Sequence, residues 1–381
     1  MVNSFRRVLI LADESADWMV AGLRQLDRLA LSIDEFALEN KETAPVLVCI
    51  LWKPGLDQSQ RWTPKHQRLA MVAFTDQADG VPYDLVLNSR VFLYRKAMRQ
   101  LIDASAQMIS SPEETQSWQD KFRQLESLPP SCPGAWEYIT DGNQIDEIEK
   151  RFLRGSGKSQ DGFVSRYLNR PISRMVTRLL LRFPTTPNAW TLLILPIPIA
   201  ASLILLYGTY WSSLLGLVLF QIFSVLDGCD GEIARAKFLE SESGRRLDYL
   251  CDVFGNILLA AALGFGLSRH SGWFYIGEGI LAAALIGVNE FLLARRQPDE
   301  KAAESLGGAL YSRHRELVER SGMLLIGPKF ASWIIQLTKR DVAVLFFVLL
   351  AAVGLPSLIL HLLLIVTAVT LALSLKSFSR S

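Results

Sequence analysis

Cysteine and histidine are both scarce, with four of each in 381 residues. Cys49, Cys132, Cys229 and Cys251 make no CxxC pair and no metal-ligand spacing. This excludes a cysteine-rich zinc site and leaves reduced thiols on a cytoplasmic side as the expectation. The scattered histidines exclude a histidine zinc centre in the same way. Charge of one sign is lacking too. Lys+Arg total 40 against 38 Asp+Glu, a net charge of +2, so nothing argues for nucleic acid as a partner. No internal repeat is found. The stretch from Met1 to Ala12 has no cleavage site and reads as an apolar run of strand length, not as a secretory signal.

What is present is unevenly distributed. Half of the residues are hydrophobic, yet the first 150 carry ordinary soluble-protein polarity and the apolar excess begins after Ala189. A soluble domain followed by a membrane domain has this pattern. In the first part, Arg7–Ala12 and Val46–Trp52 read as buried strands, with helical spacing over Val20–Leu38 between them. Met71–Phe74 and Tyr83–Leu87 read as further strands, and Phe92–Ala104 as a helix. Alternating strand and helix predicts an α/β layer domain over residues 1–155. Ser110–Pro133, with Pro112, Pro129, Pro130 and Pro133, reads as a polar surface stretch, and Ile145–Leu153 as a helix leading toward the membrane.

Residues 156–185 form a junction. Apolar residues fall at 163, 164, 167, 168, 172, 175, 176, 179, 180 and 183, and arginines at 166, 170, 174, 178 and 182. Steps of four advance about 400° on a helix of 3.6 residues per turn, so the arginines share one broad face. The spacing predicts an amphipathic helix lying in the membrane interface, arginines near lipid phosphates, with a kink at Pro171. A basic-faced helix on a soluble surface is the plainer alternative. The position just before the first apolar span favours the interface.

Six spans follow over residues 186–381: Trp190–Tyr207, Ser212–Leu226, Asp248–Leu267, Trp273–Leu293, Trp333–Val353 and Pro356–Leu375. Each approaches the ~20 residues that cross a hydrocarbon core. Gly208–Trp211 and Gly354–Leu355 carry no charge, whereas Arg235, Lys237, Arg245, Arg246, Arg295, Arg296, Lys301, Arg313, Lys339, Arg340 and Lys376 collect on the other side. The positive-inside rule then puts both termini on the cytoplasmic side of the inner membrane.

The polar motif between the second and third spans reads D-x-x-D-G-x-x-A-R-x8-G-x-x-x-D-x-x-x-D. Asp227 and Asp230 are spaced i, i+3, and Asp248 and Asp252 are spaced i, i+4. Both spacings put the two carboxylates on one helix face. Four carboxylates at the ends of apolar spans would repel one another and lose hydration unless divalent cations neutralise them. Oxygen-only ligation suits Mg2+ or Mn2+, which can also bridge a pyrophosphate. Gly231 and Gly244 allow close backbone approach, and Arg235 can pair with phosphate oxygens. A solvated acidic loop does not explain why Asp248 and Asp252 run into an apolar helix.

These residues match, without gap or substitution, the signature of the CDP-alcohol phosphotransferase family. The resemblance runs from about Thr186 to Leu375, and Thr186-Pro187-Asn188 with Thr191 resembles the family's TPNxxT entry to the first span. It implies that Asp227, Asp230 and Asp248 ligate metal and that Asp252 is a ligand or general base. Asn188, Thr191, Asp227, Gly228, Gly231, Ala234, Arg235 and Gly244 would surround the CDP group. The acceptor hydroxyl would attack the donor's β-phosphorus and CMP would leave, the bilayer being the third partner. Asn256, Asn289 and Glu290 are open between an acceptor cavity and helix–helix hydrogen bonding. Arg340 is open between an acceptor phosphate and snorkelling beside Asp341. Arg313 and Arg315 read as a solvated face.

The first domain more faintly resembles a sugar-nucleotide cytidylyltransferase, through Ala21-Gly22-Leu23-Arg24-Gln25-Leu26-Asp27-Arg28 and the strand Asp84–Asn88. Lys158–Arg166 and Asn169–Ser173 resemble the junction of fused cytidylyltransferase–phosphotransferases, such as those making di-myo-inositol phosphate. It departs where chemistry is needed. Asp13-Glu14-Ser15-Ala16-Asp17 replaces a glycine-rich loop, and Asn88 or Ser89 stands where a metal Asp is expected. The reading is a nucleotidyltransferase fold without catalysis. Three functions stay open. One is phospholipid synthesis from a CDP-diacylglycerol-type donor and an alcohol. Another is the same chemistry with a soluble CDP-polyol and a polyol-phosphate acceptor. The third is a decayed membrane scaffold. A homodimer is compatible with any of them.

Overall fold

The computed structural model describes residues 5–42, 44–56, 69–77, 81–106, 118–125, 130–155, 162–295 and 340–378. The chain divides into two compact units: Met1–Ser156 with Leu181–Phe183 and Ala236–Phe238, and Gly157–Leu180, Pro184–Arg235 and Leu239–Ser381.

The first unit is built on a parallel sheet of β1 (Arg7–Ala12), β2 (Val46–Trp52), β3 (Val72–Thr75) and β4 (Leu85–Asn88), in the order β3-β2-β1-β4. Central β1 pairs on both sides, Val8 with Val48 and Leu85, and its residues from Val8 to Ala12 are buried. A strand covered on both faces needs a continuous apolar run, which RVLILA supplies. Each buried Leu or Ile side chain contributes about 1.5–3 kcal/mol of burial. Leu9, Leu11, Cys49 and Val86 pack with Phe122 of a helix at Trp118–Gln124, inside the expected surface stretch. Residues 110–117 and 126–129 of that stretch lie outside the described residues.

Two local expectations are corrected. The helix expected from Val20 starts later, as α1 (Gln25–Glu39), because Met19–Val20 pairs antiparallel with Leu23–Arg24. Ala21 and Gly22 both take positive φ, 48° and 79°, as a two-residue hairpin loop requires. The helix expected from Phe92 begins at Met98 as α2 (Met98–Ala106). Val91–Leu93 is instead a strand pairing with Trp136–Tyr138.

The second unit is helical. A π-turn at Ser165–Asn169 leads into α5 (Arg170–Leu180), counting the Trp118–Gln124 helix as α3 and Ile145–Gly155 as α4. Helical backbone runs on from the π segment into α5, and Pro171 follows directly on that irregular turn, where an interruption is expected of a proline inside a helix. Four long apolar segments follow: Pro187–Leu205, Tyr210–Ala236, Glu242–Ser271 and Phe274–Leu292. The first breaks at Leu195–Pro196 into α6 (Pro187–Ile194) and α7 (Pro196–Leu205). The others are α8 (Tyr210–Ala236), α9 (Glu242–Ser271) and α10 (Phe274–Arg295). They make the protein an integral membrane protein with four candidate spans among the described residues. The expected fifth and sixth spans are not shown as long apolar helices: their places hold α11 (Arg340–Ala352), of 13 residues, and α12 (Pro356–Phe378), whose described apolar part Pro356–Ala372 is shorter than a span, and Trp333–Lys339 lies outside the described residues.

The helices share a core of Ala201, Leu205, Leu217, Phe220, Leu259, Leu263, Ile286 and Phe347. Small residues set the closest approaches. A Cβ on Gly264 would stand 2.7 Å from Gly279 Cα, and one on Gly279 would stand 3.0 Å from Ala260 O, so α9 and α10 meet backbone to backbone. Outside this core, Phe163, Tyr167, Met175 and Leu179 on and before α5 are exposed, whereas Asn169, Arg170, Ser173 and Thr177 are buried. The arginines of this stretch differ in burial. Arg166 and Arg182 are exposed, Arg174 and Arg178 are half-buried and Arg170 is buried, because a buried acidic residue of α8 draws that side chain inward.

Candidate active site

The motif lies where α8 ends and α9 begins. Ser241 caps α9, its hydroxyl accepting the Gly244 N–H at 3.1 Å. The carboxylates of Asp227, Asp230 and Asp248 converge, one ligand oxygen from each lying within 4.8 Å of the others. Asp230 is buried; Thr191 Oγ1 donates to its Oδ2 at 2.7 Å and the Gly231 N–H to its Oδ1 at 2.5 Å. The Trp190 indole N–H donates to Leu226 O at 2.9 Å, so the entry to the first span is fastened to α8 beside the aspartates.

Asn188 reaches the same place. A Cβ on Gly244 would stand 2.8 Å from Asn188 Oδ1, so glycine lets this side chain meet the first turn of α9. The Arg235 guanidinium folds back toward Gly231, 3.1 Å from where a Cβ would lie, and Ala234 is buried. Gly228 has ordinary room, 3.4 Å from Arg170 Nη1, so packing alone does not demand glycine there.

Asp252 stands beside the triad. Its Oδ2 accepts a hydrogen bond from Arg340 Nη1, which also lies 3.5 Å from Asp227 Oδ2. The Arg340 guanidinium sits 5.4 Å from the centroid of the Phe223 ring. Asp252 Oδ1 is buried with no hydrogen-bond partner among the described residues. Asp341 accepts the Ser165 backbone N–H at 2.6 Å. Glu290 takes the hydroxyl of Tyr249, Asn289 is buried, and Asn256 is half-buried one turn beyond Asp252 on α9. Arg313, Arg315 and Lys339 lie outside the described residues.

Sequence reasoning passed over Glu232 and Tyr249. Glu232 is 1% exposed, inside the motif itself, and accepts from Arg170, Ser173 and Thr177. A third acidic residue at the polar end of α8, two places after Asp230, was the available signal.

In the first unit, the strand order reverses between β1 and β4, and ligands of α/β sheets bind outside the carboxyl ends of strands at such a point. Here that point holds an internal network. Asp13 Oδ2 pairs with Arg90 at 2.9 Å, and its Oδ1 accepts from Ser15 at 2.5 Å and Ser89 at 3.1 Å. Burial pushes the Asp13 carboxyl up, but the Ser15 hydrogen bonds and the Arg90 charge outweigh it, leaving it below the ordinary carboxylate value.

The carboxylate triad is compatible with a divalent metal. Its donors are all hard oxygens, and Asp252 Oδ1 beside it is a buried acceptor with no hydrogen-bond partner among the described residues. An α/β unit, a bundle of long apolar helices and such a triad together define an integral membrane enzyme built around an acidic site. Residues 184–373 match the CDP-alcohol phosphatidyltransferase family, and the chain belongs to that family.

Among the curated proteins it is similar to are several named "Bifunctional IPC transferase and DIPP synthase". The one from Thermococcus kodakarensis is 32% identical over 142 residues, 37% of this chain and 32% of the relative. The one from Aquifex aeolicus is 33% identical over 134 residues, 35% of this chain and 30% of the relative. The one from Rubrobacter xylanophilus is 32% identical over 194 residues, 49% of this chain and 41% of the relative. The matched part thus spans less than half the length of each of these relatives.

Proposed function

We propose that this chain transfers a substituted phosphate group from a soluble CDP-polyol to a hydroxyl of a polyol phosphate, releasing CMP. The observation that carries the reaction class is the convergence of Asp227, Asp230 and Asp248 within a family-matched segment. The observation that favours a polyol over CDP-diacylglycerol is the shared name of the relatives, each a "DIPP synthase". The family's description as phosphatidyltransferases favours the lipid donor and keeps it as the second reading. A decayed scaffold would have no reason to keep three carboxylates this close together.

Asp227, Asp230 and Asp248 would hold Mg2+ or Mn2+, with Asp252 at its edge. Such an ion supplies Lewis-acid stabilisation of charge on the pyrophosphate oxygens. The chain's residues do the rest. Asn188, Thr191, Gly228, Gly231, Ala234, Arg235 and Gly244 line the place of the CDP group. Arg340 offers guanidinium N–H groups to an acceptor phosphate. Asp252, with Oδ2 on Arg340 and Oδ1 unpartnered, takes the acceptor's hydroxyl proton as that oxygen attacks the β-phosphorus. Asn256, one turn beyond Asp252 on α9, and Glu290, which takes the Tyr249 hydroxyl, are the further candidates for the acceptor.

The chain crosses the inner membrane six times with α11 and α12 as the last two spans, and it keeps its termini and active site cytoplasmic. The first unit is a nucleotidyltransferase-like fold whose crevice Asp13 and Arg90 have closed. The test is CMP release by the purified full-length chain offered CDP-inositol with inositol phosphate, or CDP-diacylglycerol with a panel of alcohols. Release only from CDP-diacylglycerol would overturn the polyol reading.

A further inference from the structure

α5 presents an unusual division of faces. Its large apolar side chains point outward, Met175 71% and Leu179 56% exposed, while the buried seam is polar. Arg170, Ser173 and Thr177 are spaced by three and four residues and so share that seam. All three donate to one carboxylate of α8. Glu232 Oε1 accepts from Arg170 Nη1 at 3.0 Å and Ser173 Oγ at 2.8 Å, and Oε2 accepts from Thr177 Oγ1 at 2.7 Å. Two further bonds run along the seam, Gln221 Nε2 to Asn169 Oδ1 at 3.0 Å and Cys229 Sγ to Ser173 O at 3.5 Å.

We propose that Glu232 is a positioning residue for the phosphotransfer site, fixing the rotation of α8 by its buried bonds to Arg170, Ser173 and Thr177 of α5. Apolar packing between helices tolerates small rotations and slides. A buried ion pair with both carboxylate oxygens satisfied is content in one register, the best-attested use of such pairs. At 100° per residue, Glu232 lies about 140° around α8 from Asp227 and about 160° from Asp230 by the shorter way. The seam therefore grips the back of the helix whose front carries the metal-binding pair. Turning α8 to release Glu232 would swing Asp227 and Asp230 away from Asp248. The proposal rests on the reading of that triad as a metal-binding phosphotransfer site.

The test is Mn2+ affinity of the full-length detergent-solubilised protein, read by electron paramagnetic resonance, alongside its thermal midpoint. Glu232→Met and Arg170→Met each strand a buried charge, so both lower the midpoint and weaken Mn2+ binding. The double variant strands none and regains most of the midpoint, yet its Mn2+ affinity stays ~10-fold below the unsubstituted protein, the scale seen when outer-shell support of a metal site is lost. A merely structural pair predicts recovery of both, and that result overturns the proposal. Should the double variant not fold, Thr177→Val removes one bond and no charge. It is expected to bind Mn2+ several-fold more weakly, with Thr177→Ser restoring the affinity, and unchanged affinity in Thr177→Val overturns the proposal. Absence of Mn2+ binding in the unsubstituted protein overturns it together with the metal reading. Normal Mn2+ binding without CMP release from any CDP-linked donor overturns the reaction it rests on and leaves the positioning claim to the affinity series.

Discussion

Asp252 and Asp227 share Arg340 but differ in what else they can do. Asp227 belongs to the convergent triad; Asp252 keeps a buried oxygen without a partner among the described residues. Asp252→Asn preserves size and the acceptor for Arg340 but cannot take a proton. Its turnover is expected to fall ~10²-fold or more, the usual scale of general-base catalysis, with donor affinity largely kept. Asp227→Asn instead removes a ligand of the ion that the pyrophosphate would share, so donor affinity itself weakens. Donor affinity and turnover of the two variants, measured side by side, check this. Equal loss of donor binding in both would show that ligand and base are not separate roles. The two aspartate pairs were legible because spacing by three or four puts side chains on one helix face, whereas Asn188 and Thr191 were legible only through a family resemblance. The pairing of Arg340 with Asp252 was not, since the two lie 88 positions apart and only the folded bundle joins them.

Helix packing decides how firmly those side chains are held. α9 carries Asp248 and Asp252, and it meets α10 backbone to backbone at Gly264 and Gly279. Gly279→Val would force its Cβ to within 2.8 Å of Gly264 Cα, backbone that cannot give way as a side chain can. Overpacking of this kind costs about 1–3 kcal/mol. A lower thermal midpoint and reduced CMP release are expected. Gly277→Ala, where nothing lies within 4 Å, is expected to change neither. Equal midpoints for the two variants would show that the close approach carries no stability. The sequence pattern expected six spans and located the four long apolar helices found among the described residues, because runs of apolar residues of this length have one membrane solution. It did not show that Arg170 of α5 is buried. Even spacing by four puts arginines on one face, but Glu232, 62 positions downstream of Arg170, supplies a buried partner that no local pattern contains. Val91–Leu93 was missed for a similar reason, as its partner Trp136–Tyr138 is distant in sequence and three residues are too few to set a period.

The chain as a whole combines a family-matched membrane segment with an α/β unit whose crevice is filled from within. If Asp13, Ser15, Ser89 and Arg90 satisfy one another there, a triphosphate has neither an anion cradle nor a metal carboxylate to bind. The full-length chain is expected to release no pyrophosphate from CTP and a polyol phosphate, in an assay coupled to pyrophosphate detection. Pyrophosphate release that disappears in Asp13→Ala would show that the crevice is catalytic after all. The most direct measurement of the account is CMP release by the full-length chain from a CDP-linked donor, with and without chelator. Chelator should abolish release, and Mg2+ or Mn2+ should restore it, because four carboxylates around one cationic side chain need an ion to hold a pyrophosphate. Full release in excess chelator would contradict the account.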